Sequence, residues 1–443
     1  MPDTPLTPAN TPAVTPRPSA CPGLWRIVSA RDGGICRIKL PGGLLLADQA
    51  DAVAAAAERY AGGVIEATNR GNLQIRGIGS DHAGLVESLL AAGLGPRDAA
   101  SDDVRNLMLS PLAGHDPQML LDVRPLAGQI LDLLQGTSRF HELSAKFALQ
   151  LDGGEGVAML EHPHDLWLSA LRLEQRDWLA FGLASCPADG QVLGAVPLEQ
   201  ALALVRAVLD RFLDLASPEQ SRLRQLLEGC PVDVFINGLG LQVRRDAAVL
   251  EWRREISQSP WLGAVTQQRG MALGVAPPLG RLSPAMLRGA AAVARHWGDG
   301  SLRLSPWQSL MLTNIAAAGL EQARAELSAL GLLCQADAPL ARMIACTGSS
   351  GCARGQADTK ADAVELAARL GSGPPGSVHL SGCPRSCAVA HVAPATLLAR
   401  SAGRYDLYLR DAHLPGLGAL RATDLTLNEA GAMLALPTEH LDD

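Results

Sequence analysis

The sequence contains an internal repeat, and this repeat constrains the fold more than any other feature. Residues 64–78, VIEATNRGNLQIRGI, lie over residues 301–315, SLRLSPWQSLMLTNI. The same offset superposes three further pairs without a gap: Pro41 on Pro278, Arg105 on Arg342 and Leu143 on Leu380. Two similar Ala- and Leu-rich compositions would explain aligned helices, but not aligned turns and arginines. The register therefore indicates a duplicated structural unit.

Each copy predicts the same order of secondary structure. The elements expected in the first copy are strand 35–40, helix 47–60, a strand ending near Gly77 and helix 82–92. Their expected counterparts are strand 273–276, helix 284–297 capped by Ser283, a strand ending near Thr313 and helix 317–330. This β-α-β-α order is typical of a split βαβ, ferredoxin-like half-domain. The Leu-rich residues 197–227 predict a long helical segment between the copies.

Composition and charge limit the functional classes. The chain has 443 residues, of which 47% are hydrophobic, and this is enough for several packed domains. Its net charge of −7 argues against a generally basic nucleic-acid-binding protein. No run approaches the ~18 apolar residues that cross a bilayer, so we expect no membrane association. Residues 1–20 are rich in Pro and Thr and lack the apolar segment of a secretory signal. We therefore predict a disordered tail on a cytoplasmic protein, whose thiols stay reduced.

Four of the nine cysteines have the spacing of metal ligands. Cys346 and Cys352 form a C-x5-C pair, and Cys383 and Cys387 form a C-x3-C pair. Nearby glycines let the backbone approach a bulky inorganic centre and offer N–H groups to its sulfur atoms: Gly348, Gly351 and Gly382. Pro384 fits the first turn of a helix, which would place Cys383 and Cys387 on one face.

The spacing of the cysteines favours one kind of metal centre. Zinc knuckles use closer C-x2-4-C pairs and thioredoxin-like sites use C-x-x-C, whereas two wider pairs favour a 4Fe–4S cluster. Structural zinc and coincidence stay open as alternatives. The remaining cysteines are expected to be small buried or surface residues: Cys21, Cys36, Cys186, Cys230 and Cys334.

These features together resemble the nitrite/sulfite reductase superfamily over about residues 21 to 410. The resemblance is carried by the cysteine pairs, by the duplicated half-domain and by a T-x-R…Q-x-R strand that contains Thr68, Arg70, Gln74 and Arg76. Within the superfamily, residues 306–308, 345–348 and 358–363 are most similar to the precorrin-3B synthase branch.

The resemblance implies an α+β fold that is internally duplicated. Two ferredoxin-like half-domains and two nitrite/sulfite-reductase-type α/β domains would be related by pseudo-twofold symmetry. After the tail, the expected boundaries are 21–95 for half-domain 1, 96–235 for the basic, substrate-side reductase-type domain 1, 236–332 for half-domain 2 and 333–443 for reductase-type domain 2 with the cluster.

The same resemblance implies an oxidoreductase activity. Enzymes of the precorrin-3B synthase branch carry a 4Fe–4S cluster and a mononuclear non-haem iron. They are monooxygenases that use O2 to hydroxylate precorrin-3A at C20, with γ-lactone formation, in aerobic cobalamin biosynthesis. The nearest alternative is a siroheme-dependent sulfite or nitrite reductase, in which the residue matching Cys387 bridges to the siroheme iron. A third hypothesis is a non-catalytic protein in which the four thiolates hold structural zinc. No G-x-G-x-x-G follows a strand, so we expect an external electron donor.

Basic residues are the candidates for substrate binding. A polycarboxylate tetrapyrrole in a partly desolvated cleft requires Arg or Lys donors. The candidates are Arg70, Arg76, Arg105 and Lys146, each with a solvated surface charge as the alternative. Siroheme reductases present four cations, of which Arg70, Arg105 and Lys146 match three, while Ala148 stands at the fourth position. This difference favours a macrocyclic substrate over a small anion. The repeat register also places Lys146 on Cys383, so that a substrate face would oppose a cluster face.

A second iron would require its own ligands. Mononuclear iron that activates O2 often uses two histidines and a carboxylate. The one dense group of this kind is His162, His164 and Asp165, for which a polar turn is the alternative. Three other histidines compete as ligands: His141, His379 and His391.

Overall fold

The fold is known from a computed structural model that describes residues 21–257, 259–370, 376–411 and 414–435, so the tail predicted at 1–20 lies outside the described residues. The strands in these ranges are β1 (Val28–Ala30), β2 (Gly33–Ile38), β3 (Leu44–Leu46), β4 (Val64–Ala67), β5 (Leu73–Ile78), β6 (Leu107–Met108), β7 (Leu149–Asp152), β8 (His164–Leu173), β9 (Arg176–Ser185), β10 (Gly194–Pro197), β11 (Gly263–Thr266), β12 (Met271–Val275), β13 (Arg281–Leu282), β14 (Ser301–Leu304), β15 (Leu310–Ile315), β16 (Met343–Ala345), β17 (Val378–Ser381), β18 (Ala395–Ser401), β19 (Arg404–Leu409) and β20 (Ala419–Thr426). The α-helices are α1 (Ala47–Tyr60), α2 (His82–Ala91), α3 (Arg124–Gly136), α4 (Ala201–Leu215), α5 (Leu223–Leu227), α6 (Val232–Asn237), α7 (Ala247–Leu250), α8 (Pro284–Trp297), α9 (Leu320–Ala329), α10 (Thr359–Leu370) and α11 (Leu427–Leu434). Among the described helices, none has the length and apolar character of a membrane span.

The two ferredoxin-like halves exchange edge strands. One sheet has the order β1-β2-β5-β4-β13 and the other has the order β11-β12-β15-β14-β3. Leu282 of β13 is in register with Ile65 of the first copy, and Leu45 of β3 is in register with Leu302 of the second. Helices α1 and α8 pack against each other over one shared hydrophobic core. The two copies therefore form a single structural body.

The reductase-type domains repeat a second sheet pattern. Their strand orders are β10-β9-β8-β7-β6 and β16-β17-β18-β19-β20. The strands β6, β7 and β8 are parallel, as are β16, β17 and β18, and an antiparallel strand follows in each sheet. Helices α3 and α10 connect the first and second parallel strands. This duplicated arrangement of mixed sheets confirms the predicted α+β fold class.

Local sequence signals account for most helix bounds. Helices α1 and α8 span the predicted residues, and the hydroxyl of Ser283 accepts a hydrogen bond from the N–H of Met286 at the start of α8. The long helix predicted at 197–227 is instead divided into α4 and α5. The division coincides with Pro218, which has no backbone N–H and disfavours a helical conformation at the preceding residue.

The later part of the repeat does not keep its predicted register. Strands β7 and β17 are equivalent, because each is the middle parallel strand of its sheet. Residues 137–148 connect α3 to β7, whereas the shorter stretch 371–377 connects α10 to β17. The superposition of Lys146 on Cys383 is therefore wrong, since Lys146 precedes β7 and Cys383 follows β17.

Candidate functional site

The four candidate cluster cysteines lie near the end of two parallel strands. Cys346 follows β16 directly, and Cys383 follows β17 after Gly382. Because β16 and β17 are neighbouring parallel strands, their carboxyl ends meet at one edge of the sheet. Cys352 and Cys387 lie in the turns that come after these two residues. These four cysteines are free thiols in the structure.

Glycines allow the two cysteine loops to pack closely. The N–H of Gly382 donates a hydrogen bond to Cys346 Sγ at 3.2 Å. Gly348 has φ +69°, and a Cβ at this position would lie 2.6 Å from the carbonyl oxygen of Ala357. A Cβ at Gly355 would lie 2.5 Å from the carbonyl carbon of Gly348. The backbone therefore forms a tight cradle that places an amide donor on a cysteine sulfur.

The four cysteine thiols suit a metal cluster better than a single metal ion. Burial raises the pKa of Cys387, and the nearby Cys383, Cys346 and Cys352 raise it further because thiolates repel one another. Within the described residues, no three His, Cys, Asp or Glu side chains converge closely enough to hold one metal ion. Four thiols close enough to interact electrostatically, with an N–H donor on one sulfur, are the kind of donor set that an iron–sulfur cluster uses.

The helix expected after Pro384 does not form. Residues 382–390 form turns and bends, and Ser386 has φ 49°, in the left-handed region that a right-handed helix excludes. Cys383 is partly buried and Cys387 is exposed. The prediction of one helix face for the pair is therefore wrong, and turn geometry positions the two thiols.

Three of the four predicted basic residues come together beside a small cavity. The cavity is lined by Arg70, Asn72, Arg105, Asn106, Leu107, Met108, Ala148, Leu149 and His164. One guanidinium nitrogen of Arg70, Nη1, donates to the carbonyl oxygen of Lys146 at 3.5 Å, and the Lys146 side chain is exposed at this place. Burial lowers the pKa of Arg70 to about 10, and the neighbouring Arg222 and Arg37 lower it further. The cavity wall is therefore strongly positive.

Arg105 has unsatisfied hydrogen-bond donors inside this wall. The residue is 7% exposed, and its Nε and Nη2 atoms have no hydrogen-bond partner among the described residues. Its nearest carboxylate oxygen is Oδ1 of Asp102, 3.6 Å from Nη2. Buried guanidinium donors are normally paired. The unpaired donors of Arg105 therefore face a space of about 10 Å³, which is enough for one water-sized polar group.

Arg76 has a different environment from the other three. Its guanidinium donates to both carboxylate oxygens of Asp32 at 2.9 and 3.0 Å and to the carbonyl oxygen of Gly351 at 3.2 Å. Gly351 lies in the loop between Cys346 and Cys352. The side chain thus holds the cysteine loop, and its predicted role in substrate binding stays a prediction.

The sequence analysis missed Arg37. This residue lies on β2, in register with Gln74 of β5, and Cys387 and Arg70 are both close enough to interact with it electrostatically. With the Gln74 amide oriented to satisfy both groups, its oxygen accepts hydrogen bonds from Arg37 Nη2 at 2.7 Å and Nε at 3.0 Å. The available signal was the alternation along β2, where Arg37 stands between the buried Cys36 and Ile38.

The geometry does not favour His162, His164 and Asp165 as one metal site. Asp165 pairs with Arg222 at 2.8 Å and accepts hydrogen bonds from the N–H groups of Ala148 and Leu223. His164 Nδ1 lies 2.8 Å from the carbonyl oxygen of His162. These contacts fix the segment as part of the domain core.

One of the competing histidines, His391, lies beside the H-x-H-D group. The His162 ring lies against His391, with centroids 5.0 Å apart, and His391 Nε2 is 3.8 Å from Glu161. His141 Nε2 is 3.1 Å from the carbonyl oxygen of Gln135. His379 is 1% exposed, and burial lowers its pKa to about 4. These side chains and the H-x-H-D group do not form a converging set.

Two family profiles match the chain. The nitrite/sulfite reductase ferredoxin-like half domain matches residues 29–93 and 265–330, in the two copies that exchange strands. The nitrite and sulphite reductase 4Fe-4S domain matches residues 100–245, in the half that contains Arg105 and Lys146.

Known proteins with related sequences include reductases and a synthase. A ferredoxin–nitrite reductase of Synechococcus elongatus is 30% identical over 82% of this chain and 76% of its own length. The chloroplastic ferredoxin–nitrite reductase of Zea mays is 29% identical over 81% of this chain and 68% of its own length. A precorrin-3B synthase of Sinorhizobium sp is 24% identical over 90% of this chain and 84% of its own length. The structure of the Mycobacterium tuberculosis NirA protein has a TM-score of 0.71 at 22% identity and covers 90% of this chain and 79% of its own, so it shares the fold.

Proposed function

The chain belongs to the nitrite and sulfite reductase family, and from this premise we propose that it is an oxidoreductase of the precorrin-3B synthase type, which hydroxylates precorrin-3A at C20 with O2. Ala148 carries this proposal. It lines the cavity beside Arg70 and Arg105 at the position where siroheme reductases have a fourth cation. A small anion needs several converging cations, whereas the carboxylates of a macrocycle are spread over a larger surface. The extent of similarity to the Sinorhizobium synthase supports the same assignment.

The basic residues would bind the substrate carboxylates. Arg105 offers two buried and unpaired donors, and Arg37 and Arg70 supply further positive charge beside it. Lys146 is exposed and would meet a carboxylate at the rim. Guanidinium groups bind carboxylates with charge-assisted, often bidentate hydrogen bonds, so this set would fix the orientation of an acidic tetrapyrrole.

The cysteine loops would hold the redox cofactor. Cys346, Cys352, Cys383 and Cys387 would bind a 4Fe–4S cluster, which supplies single electrons. An external donor, such as the ferredoxin named for several relatives, would deliver them to the exposed side near Cys387. The described side chains offer no converging site for a mononuclear iron, and we assign it no role.

A siroheme-dependent nitrite or sulfite reductase is the second candidate. The observation that favours it is the placement of Cys387, which is exposed and close to Arg37, where a cysteine could face a tetrapyrrole. The 30% identity to the cyanobacterial nitrite reductase supports it as well.

Spectra and labelled oxygen would separate the two candidates. The chain is purified anaerobically, assayed for iron and acid-labile sulfide, and then supplied with a reductant, precorrin-3A and 18O2. We expect about four sulfides per chain, a broad brown absorption without haem bands and one labelled oxygen in the product. Strong Soret bands, nitrite-dependent oxidation of the donor and an unlabelled tetrapyrrole would support the reductase and overturn the synthase. Zinc in place of iron would overturn both candidates.

A further inference from the structure

A buried cluster of charges lies beneath the cysteine loop that contains Cys346. Its centre is Glu66 of β4, which is 8% exposed. Three cations surround this carboxylate: Arg281 of β13 at 3.1 Å, Arg76 of β5 at 3.7 Å and Lys360 of α10 at 3.7 Å. Asp32 also pairs with Arg76, so three cations face two carboxylates and the group keeps an excess of one positive charge. We call Glu66 and its three cations the Glu66 charge cluster.

This charge cluster contacts the cysteine loop directly. The hydroxyl of Thr347, next to Cys346, is 3.4 Å from Glu66 Oε2. Arg76 donates to the carbonyl oxygen of Gly351, next to Cys352, at 3.2 Å. The residue beside Lys360, Thr359, donates from its hydroxyl to the carbonyl oxygen of Cys346 at 2.8 Å. The charges are therefore held in a fixed position relative to two of the four thiols.

Lys360 is the buried lysine of this cluster. It is 8% exposed, and its Nζ donates to the carbonyl oxygen of Leu279 at 2.5 Å. Burial lowers the pKa of Lys360, and the negative charges of Glu66 and the nearby Cys346 oppose that change. The ammonium group of Lys360 can therefore interact with the Cys346 thiolate through surroundings of low polarity.

A buried positive charge near a redox centre changes the relative stability of its reduced and oxidised forms. Reduction adds one negative charge to an iron–sulfur cluster, and a nearby cation stabilises the reduced form more than the oxidised form. Solvent screens this effect weakly when the cation is buried. The charge excess under Cys346 thus favours reduction of a cluster bound by this loop.

We propose that Lys360, assisted by Arg281, is a positioning residue that raises the reduction potential of the cluster. The inference rests on the proposed function, because it requires a cluster on the four cysteines. It also gives the duplication a role, because Glu66 and Arg76 come from the first copy whereas Arg281 and Lys360 come from the second.

The reduction potential of Lys360→Met would test the proposal. Holoprotein is titrated with a chemical reductant in the presence of mediators, and the reduced cluster is quantified by its electron paramagnetic resonance signal. We expect at least a tenfold lower equilibrium constant for reduction, which is about 59 mV for one electron. Lys360→Arg should recover most of the wild-type potential because it keeps the positive charge.

Arg369→Met is the matched control. Arg369 lies on the same helix, α10, and its exposed side chain pairs with Glu365. The substitution removes the same charge from the same helix, but at a screened position more than two turns away. Its potential should equal that of the wild type.

Arg281→Met keeps the test decisive if Lys360→Met does not fold. The Arg281 side chain is 38% exposed at the edge strand β13, so its loss disturbs the core less. Its partial exposure also predicts a smaller effect, about threefold in the equilibrium constant. Loaded variants with an unchanged potential would overturn this inference alone. Wild-type protein that binds no iron would overturn both this inference and the proposed function.

Discussion

Arg70→Met should improve stability while it weakens substrate binding. Arg70 is partly buried, and its guanidinium donates a long hydrogen bond of 3.5 Å to the Lys146 carbonyl oxygen. Two of its charged neighbours, Arg222 and Arg37, are also cations, and their repulsion outweighs the attraction of Asp165. A buried charge that is retained without strong partners is typical of a binding site, where function opposes stability.

The size of the stability gain follows from the pKa. Burial, and after it the neighbouring cations Arg222 and Arg37, lower the pKa of Arg70 from its ordinary value to about 10. At 1.36 kcal/mol per pKa unit, this is roughly 3 kcal/mol against the charged form, and partial exposure reduces it to about 1–2 kcal/mol. Because the folded pKa is lower than the unfolded one, this cost is present below about pH 10 and disappears only as the pH rises towards the ordinary pKa of arginine. At neutral pH, Arg70→Met should therefore raise the free energy of unfolding by about 1–2 kcal/mol.

The loss of affinity has a separate origin. A hydrogen bond to a charged group contributes about 1.5–3 kcal/mol, so loss of the Arg70 contact should weaken binding of precorrin-3A by roughly 10- to 150-fold. Anaerobic equilibrium binding gives the Kd, and thermal unfolding gives the Tm. Arg172→Met is the control, because Arg172 lies on β8 of the adjoining reductase-type domain and pairs with Asp177 at an exposed position. A lower Tm with an unchanged Kd would refute a binding role for Arg70.

Three further substitutions test other parts of the structure. Arg76→Met removes the pair with Asp32 and leaves Glu66 with fewer cations, so we expect a loss of about 2–4 kcal/mol in stability and less iron bound per chain, measured by thermal unfolding and iron analysis. Asp165→Asn weakens the buried pair with Arg222 and should lower the Tm, whereas an unchanged Tm would contradict the structural role of Asp165. Because burial lowers the pKa of His379 to about 4, its contribution to stability is present above about pH 6.5 and is lost as the pH falls towards 4. His379→Leu should flatten the decrease of Tm between these pH values, and an equal slope in both proteins would show that His379 does not titrate on unfolding.

The parts of the fold that could be predicted depend on local signals. Helices α1 and α8 have the predicted bounds because an alternating Ala-rich pattern and terminal signals agree there. The helix predicted after Pro384 does not form because Ser386 adopts a left-handed conformation. Serine at this position gives no sequence signal for that conformation. The repeat register fails after α3 because connections differ in length between the copies, and a superposition without gaps cannot detect this difference.

The candidate site was predictable to the extent that its residues share a motif. The cysteine pairs are recognisable by spacing, and the structure places them at the ends of neighbouring strands. Arg70 and Arg76 have the same motif and similar chemistry, yet the structure gives them different surroundings, because Asp32 and Gly351 lie beside Arg76 alone. That difference comes from the tertiary placement of a distant loop, which spacing along one strand does not encode.

The two copies differ at equivalent sheet edges. The edge formed by the loops after β6 and β7 is apolar, whereas the edge formed by the loops after β16 and β17 is polar. In the repeat register of the half-domains, Trp307 takes the position of Arg70. Trp307 stacks on Trp261 with ring centroids 5.8 Å apart and nearly parallel planes. These rings pack with Leu112 and Val157, which lie in the loops that follow β6 and β7. The corresponding loops of the second copy, which follow β16 and β17, contain the cysteines. Aromatic packing thus fills one of the two equivalent edges, whereas the loops of the other edge contain the four candidate cluster cysteines.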